Sequence, residues 1–218
     1  MAYTLEIKRF SYSTFSVELF VPNEATLKNT FEDAQQQDKA TECPYWGKIW
    51  PSAKGMAQFL LNHSTLLKGK KVLELAAGLG LPSFVAAQFA KSVCCTDYIP
   101  EAVQLVQKSI DYNNCNNISA CIMDWRTISS DILPDVVLLS DINYEPVLFD
   151  QLLQTIQRLL MQNVTVILST PARLLAKPFI SRLQDNIVQH ATYQHSAAIS
   201  IEGDIHIFVL GQNLQQHP

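Results

Sequence analysis

After Arg182 the chain has no lysine and no arginine to its end at Pro218. Basic residues cluster nowhere else, and the formal net charge is -4. Nucleic-acid binding draws on a basic footprint against phosphates, so no DNA or RNA partner is expected. Long apolar runs are missing too. No stretch reaches the roughly 18 apolar residues that cross a bilayer, so no membrane partner is expected. The opening MAYTLEIKRF carries charges where a signal peptide has its apolar core. The five cysteines, Cys43, Cys94, Cys95, Cys115 and Cys121, form no C-x-x-C pair. Cys94 and Cys95 are adjacent in an apolar run, where neighbouring strand residues face opposite ways; they read as small core residues, not as a disulfide. A reducing, cytoplasmic compartment is the expectation. The histidines lack metal-ligand spacing, and no metal site is expected.

What is present is apolar and patterned. Hydrophobic residues make up 48% of 218, enough for a sizeable core in one large domain. In residues 3–21, Leu5 and Ile7, then Phe15, Val17, Leu19 and Val21, alternate as a β-hairpin does. A polar, partly helical segment runs to residue 44, and Pro51 opens a helix, PSAKGMAQFLLNH. From Lys71 the rhythm changes. Strands KVLEL, SVCCT, ISACIM, DVVLLS and VTVILST are interleaved with helices LPSFVAAQFA, PEAVQLVQKSIDYN (stripe Val103, Val106, Ile110), PVLFDQLLQTIQRLL and AKPFISRLQDN. ATYQHSAAISI and IHIFVL, joined by EGD, close the chain as a strand pair. Alternation of this kind predicts an α/β fold with a doubly wound, mostly parallel sheet, and the last pair must be antiparallel. The expected division is 1–44, hairpin and polar segment, and 45–218, the sheet domain.

Ligands of open α/β sheets sit beyond the carboxyl ends of the strands, near the switch in strand order. After the first of these strands stands ELAAGLG. Gly78 and Gly80 let a backbone pass close to a ligand, and Glu74 is a carboxylate in a buried strand end, which needs a partner. Asp97 ends the second strand about 20 residues beyond Gly78, where a ribose hydroxyl is gripped, or else caps the next helix. Tyr98 beside it offers a ring. Asp124-Trp125 follows the third strand, and SDINYEP, with Asp141 and Tyr144, follows the fourth. Each feature alone is ordinary. Four carboxylates at four consecutive strand ends make a crevice for a ligand rich in hydroxyl and amine donors, with S-adenosylmethionine one example.

In order, VLELAAGLGLPS, TDYIPEAV, MDW and SDINYEP resemble the cofactor motifs of class I, seven-β-strand S-adenosylmethionine-dependent methyltransferases. IWPSAKGMAQFLL and the D-x-x-Y of Asp141 and Tyr144 narrow the likeness to methyltransferase family 16, the protein-lysine and nicotinamide N-methyltransferase-like group, over about 45–210. The resemblance implies a Rossmann-like seven-stranded sheet with an N-terminal β-hairpin extension. Glu74, Ala76, Gly78 and Gly80 would form the loop under the methionine and ribose. Asp97 would hold the ribose, with Tyr98 beside the adenine, Asp124 on its amine and Trp125 against its ring. Trp50 would flank the methionine end, with Ser140 in the same cofactor set. Asp141 and Tyr144 would border the acceptor entrance as the catalytic pair. Ala76 replaces the pattern's first glycine, which is tolerable where φ is negative. The implied activity is methyl transfer from S-adenosylmethionine to an amine, with a protein lysine as partner. A small amine or nicotinamide-like acceptor is the alternative. An NAD-binding oxidoreductase, whose G-x-G-x-x-G would need glycine at Ser83, and a non-catalytic methyltransferase-like interaction protein are the rivals.

Overall fold

In the computed structural model, residues 3–37, 42–129, 131–173, 176–194 and 203–212 are described. The N-terminal alternation forms the hairpin β1 (Leu5–Ser11) and β2 (Ser16–Pro22), with α1 (Glu24–Gln36) after it. Asn23 starts α1 by accepting from the Thr26 amide at 3.1 Å, an N-cap that satisfies one of the helix's free donors. Pro51 stands at the first turn of α2 (Pro51–Asn62), where its missing N–H costs nothing.

The remaining elements alternate as expected: β3 (Lys71–Leu75), α3 (Leu81–Ala86), β4 (Ser92–Asp97), α4 (Pro100–Tyr112), β5 (Ile118–Ile122), β6 (Val136–Ser140), α5 (Phe149–Met161), β7 (Thr165–Pro171), α6 (Lys177–Ser181), β8 (Ile187–Tyr193) and β9 (Ile205–Leu210). They make one seven-stranded sheet in the order β5-β4-β3-β6-β7-β9-β8. The first five strands of that order are parallel; β9 runs antiparallel to both β7 and β8. The chain steps outward from β3 through β4 to β5, then returns to β6 on the other side of β3. That reversal is the switch point where a crevice opens.

Alternate strand residues feed two cores. Val72, Val93, Cys95, Val136 and Leu138 pack under α2, α3, α4 and the hairpin residues Val17, Leu19 and Val21. Leu73, Leu75, Val137, Leu139 and Leu168 pack under α5 and α6. Helices therefore cover both faces, which is why these strands read as continuous apolar runs. Cys94 and Cys95 do point to opposite faces, into the two different cores. The hairpin adds no strand to the sheet but is tied to α4. Asn113 accepts from the Glu18 amide at 3.3 Å and donates to the Glu18 carbonyl at 2.6 Å, and the Phe20 amide donates to Ser109 Oγ at 3.0 Å.

Several elements differ from their expected bounds. α3 stops at Ala86, and tighter turns, with Gln88 N–H on the Val85 carbonyl and Phe89 N–H on Ala86, carry the chain onward. The buried stripe of α4 is Ala102, Leu105, Val106, Ser109 and Ile110; Val103 lies at its margin because the helix meets the hairpin as well as the sheet. The closing pair starts earlier than ATYQHSAAISI, at Ile187, since that is where β9 supplies partners; residues 195–202 lie outside the described residues.

Candidate functional site

A cleft of 680 Å³ lies along the carboxyl ends of β3, β4, β5 and β6. Ten of the twelve residues singled out in the sequence line it: Trp50, Ala76, Gly78, Asp97, Tyr98, Asp124, Trp125, Ser140, Asp141 and Tyr144. The volume lies inside the roughly 300–1,000 Å³ of cofactor sites.

Its floor is the loop after β3. Ala76, Gly78 and Gly80 all have positive φ, at 51°, 55° and 71°. The negative φ that would make alanine tolerable at position 76 is not found: this alanine holds the left-handed conformation that glycine takes without strain. Gly78 is hemmed in as well, since a Cβ there would stand 3.1 Å from the Trp46 carbonyl oxygen.

Glu74 and Gly80 lie behind the floor and do not line the cleft. Glu74 is 0% exposed, and its Oε2 accepts from the Ser83 amide at 2.9 Å and the Ser83 hydroxyl at 2.6 Å. It thus supplies from a distance the cap that Gly80, at the start of α3, cannot. Oε1 is buried without a partner. Burial pushes the Glu74 carboxyl up to about 8, against the pull of the Ser83 bonds, so it is protonated at neutral pH. Gly80 has a packing role: a Cβ would come 2.6 Å from Cys95 Sγ.

Asp97 is 5% exposed, with Oδ2 accepting from the Gly78 amide at 2.8 Å and Oδ1 from Ile99 at 3.0 Å. Burial raises its carboxyl and the backbone bonds pull it back. A carboxylate has about four acceptor sites, so these bonds leave capacity for the hydroxyls of a vicinal diol. Trp125, buried against the second core, gives an apolar wall. Tyr98 donates to Glu42, and the Arg126 guanidinium lies 5.7 Å over its ring. Asp124 lines the cleft with its carboxylate paired. Its oxygens accept from the Arg126 amide, Nε and Nη2 at 2.7–2.9 Å, and those bonds hold its carboxyl low while filling its lone pairs.

At the other end Asp141 turns at φ 58°, 8% exposed, and meets Arg173 from the loop after β7. Arg173 Nη2 donates to Oδ2 at 3.2 Å; Nη1 stands 3.1 Å from Oδ1 without hydrogen-bond alignment, leaving Oδ1 unsatisfied. Burial raises the Asp141 carboxyl while Arg173 lowers it. Above this pair Tyr45 makes edge contacts with Trp50 and Tyr144, each at 6.0 Å, a ring-lined mouth.

Of the four strand-end carboxylates expected to make the crevice, Asp97, Asp124 and Asp141 line it. Glu74 lies behind the floor, and Asp124 and Asp141 are paired with Arg126 and Arg173. Arg126 stands two residues past Asp124, and Arg173 lies in TPAR, after the fifth strand. Tyr45 and Trp46 carried the signal of any aromatic pair beside Trp50.

A family model described as lysine methyltransferase matches residues 32–186. The chain belongs to this lysine methyltransferase family. It is 34% identical over 124 residues to the histone-arginine methyltransferase METTL23 of Homo sapiens, covering 54% of this chain and 65% of that protein. It is 30% identical over 169 residues to the protein N-lysine methyltransferase METTL21A of Danio rerio, covering 73% and 74%. The chain spans between 49% and 65% of the length of the METTL23 relatives. Among solved structures, the N-methyltransferase NodS of Bradyrhizobium japonicum, in complex with S-adenosyl-l-homocysteine, superposes with a TM-score of 0.59 at 16% identity, covering 84% of this chain and 97% of that one. That likeness is one of fold: the sheet is the Rossmann-like methyltransferase sheet, with its antiparallel closing pair and the extra N-terminal hairpin.

Proposed function

We propose that the chain is an S-adenosylmethionine-dependent N-methyltransferase whose acceptor is a protein lysine side chain. The observation that carries this is Asp97: a buried carboxylate held by the Gly78 and Ile99 amides at the switch point, lining the cleft beside the Ala76–Gly78 loop. Those residues would hold the ribose and methionine portions, with Trp125 and Tyr98 flanking the adenine and Trp50 the methionine end. When bound, the cofactor supplies an electrophilic methyl on a sulfonium, and the protein's contribution is alignment, worth up to roughly 7–11 kcal/mol in well-oriented systems.

The acceptor nitrogen must be uncharged to attack. Tyr45, Trp50 and Tyr144 strip water from an entering side chain, and desolvation lowers an amine's pKa. Asp141 at the base of the mouth orients the cation as it arrives, and Tyr144 walls the path. A reducing, cytoplasmic setting is part of the same proposal and rests on the cysteine pattern.

A second reading, an arginine acceptor, is favoured by one observation: the group already lying on Asp141 is a guanidinium. The METTL23 relatives are named for that chemistry.

Calorimetry with S-adenosylhomocysteine tests the cofactor: binding to the wild type, lost in Asp97→Ala, is expected. Asp141→Asn keeps that binding while methyl transfer falls by orders of magnitude; equal loss of both moves Asp141 to the cofactor set. Radiolabelled cofactor with a cell lysate, split into protein and small-molecule fractions and hydrolysed, separates methyl-lysine from methyl-arginine and from a small acceptor.

A further inference from the structure

Asp141 and Arg173 are unequally placed partners. The carboxylate belongs to the wall: its side chain is 8% exposed, and its amide is fixed to the Ser169 carbonyl at 2.8 Å. The arginine is an arm, with its side chain 39% exposed. Between them only one hydrogen bond is aligned, at 3.2 Å, so the pair falls short of the two parallel bonds an arginine makes with a free carboxylate. Another polar atom nearby also lacks a partner. Ser140 Oγ, adjacent in the chain and lining the cleft, is buried without a hydrogen bond. A buried carboxylate left alone either takes up a proton or destabilises the fold, so the ionised form of Asp141 calls for a cation beside it. Nothing requires it to be the same cation.

We propose that Arg173 is an exchangeable counter-ion, holding the seat on Asp141 until an acceptor cation enters through the Tyr45–Trp50–Tyr144 mouth and displaces it. The inference rests on the methyltransferase reading and narrows its substrate class. Asp141 passes from one cation to the next without being stranded, and a neutral acceptor cannot displace a guanidinium. The unused acceptor capacity of Asp141 Oδ1 and Ser140 favours the incoming group, which can gather bonds that Arg173 does not make. The displaced arm, already partly exposed, returns to water at little cost.

The test uses small cations. Methylguanidinium and n-butylammonium chlorides are titrated at matched ionic strength into the wild type, Arg173→Gln and Asp141→Asn/Arg173→Gln, by calorimetry and thermal shift. Arg173→Gln is expected to bind the probes at least ten-fold more tightly than the wild type, and the double variant to lose that gain. Equal affinity in Arg173→Gln and wild type, or an undiminished gain in the double variant, overturns the exchange. An unpaired Asp141 could unfold the single variant, so Arg173→Lys, which keeps a cation with point contact only, is measured beside it. Its expected affinity lies between the two, and no gain over wild type counts against the proposal. Binding of S-adenosylhomocysteine to the same proteins is scored apart: intact binding without probe uptake sinks the exchange alone, whereas its absence in the wild type sinks the methyltransferase reading.

Discussion

Glu74→Gln isolates the most perturbed carboxyl in the cofactor loop. The native carboxyl holds its proton up to about 8, whereas in the unfolded chain it releases it near the ordinary 4.5. Between those values the native state binds more protons than the unfolded one, so stability is greatest below 4.5 and falls as pH rises through 8. Each pH unit inside the window costs about 1.4 kcal/mol, and integrating from pH 5.5 to 8.5 with both equilibria gives a loss of about 3 kcal/mol. Glutamine keeps the carbonyl oxygen that accepts from the Ser83 amide and hydroxyl, and places an NH₂ where the protonated oxygen was. Its stability carries no proton term. Urea unfolding at pH 5.5 and 8.5 should therefore show the two proteins close together at the lower pH and the variant ahead by about 3 kcal/mol at the higher. Other groups titrate in both proteins and cancel in the difference. Parallel curves, or a variant weaker than wild type at pH 8.5, would refute the idea that a neutral carboxyl caps α3.

Ala76→Gly relieves a left-handed alanine worth about 1–2 kcal/mol of strain, offset by about 0.4–1 kcal/mol of added unfolded-chain entropy. A net gain of about 0.5–1 kcal/mol in urea unfolding, with S-adenosylhomocysteine binding unchanged or tighter, is expected. Asn113→Ala removes both bonds to the Glu18 backbone and should cost about 1–3 kcal/mol, with faster amide exchange confined to residues 16–22 and α4. Exchange that rises equally across the sheet would show instead that the hairpin is not held locally. Arg126→Gln frees lone pairs on Asp124; if Asp124 accepts from the adenine amine, S-adenosylhomocysteine binds a few-fold more tightly, about 1 kcal/mol, while the inosine analogue lacking that amine is unaffected. Equal gains for both ligands would take Asp124 out of adenine recognition.

Much of this architecture is written in residue spacing. β6 reads as a buried strand because Val136 and Leu138 serve one core while Val137 and Leu139 serve the other, and alternation between two apolar faces leaves an unbroken apolar run. Strand ends follow from that register, so Asp97, Asp124 and Asp141 fall where the sequence puts them. Backbone handedness at Ala76 does not follow, since residue type only biases φ. Nor does the joining of His190 and His206 at 3.1 Å, which depends on how β8 and β9 pair. The charge of the cleft is the more instructive miss. Carboxylates at successive strand ends are visible one by one, but whether each remains free depends on which partner, near or distant in the chain, folds onto it. Glu74 takes a serine and keeps a proton, Asp124 takes Arg126, and Asp141 takes Arg173. Among these four strand-end carboxylates only Asp97 is held by backbone amides alone. The case for a ribose-bearing ligand therefore narrows from a pattern of four charges to the geometry of one.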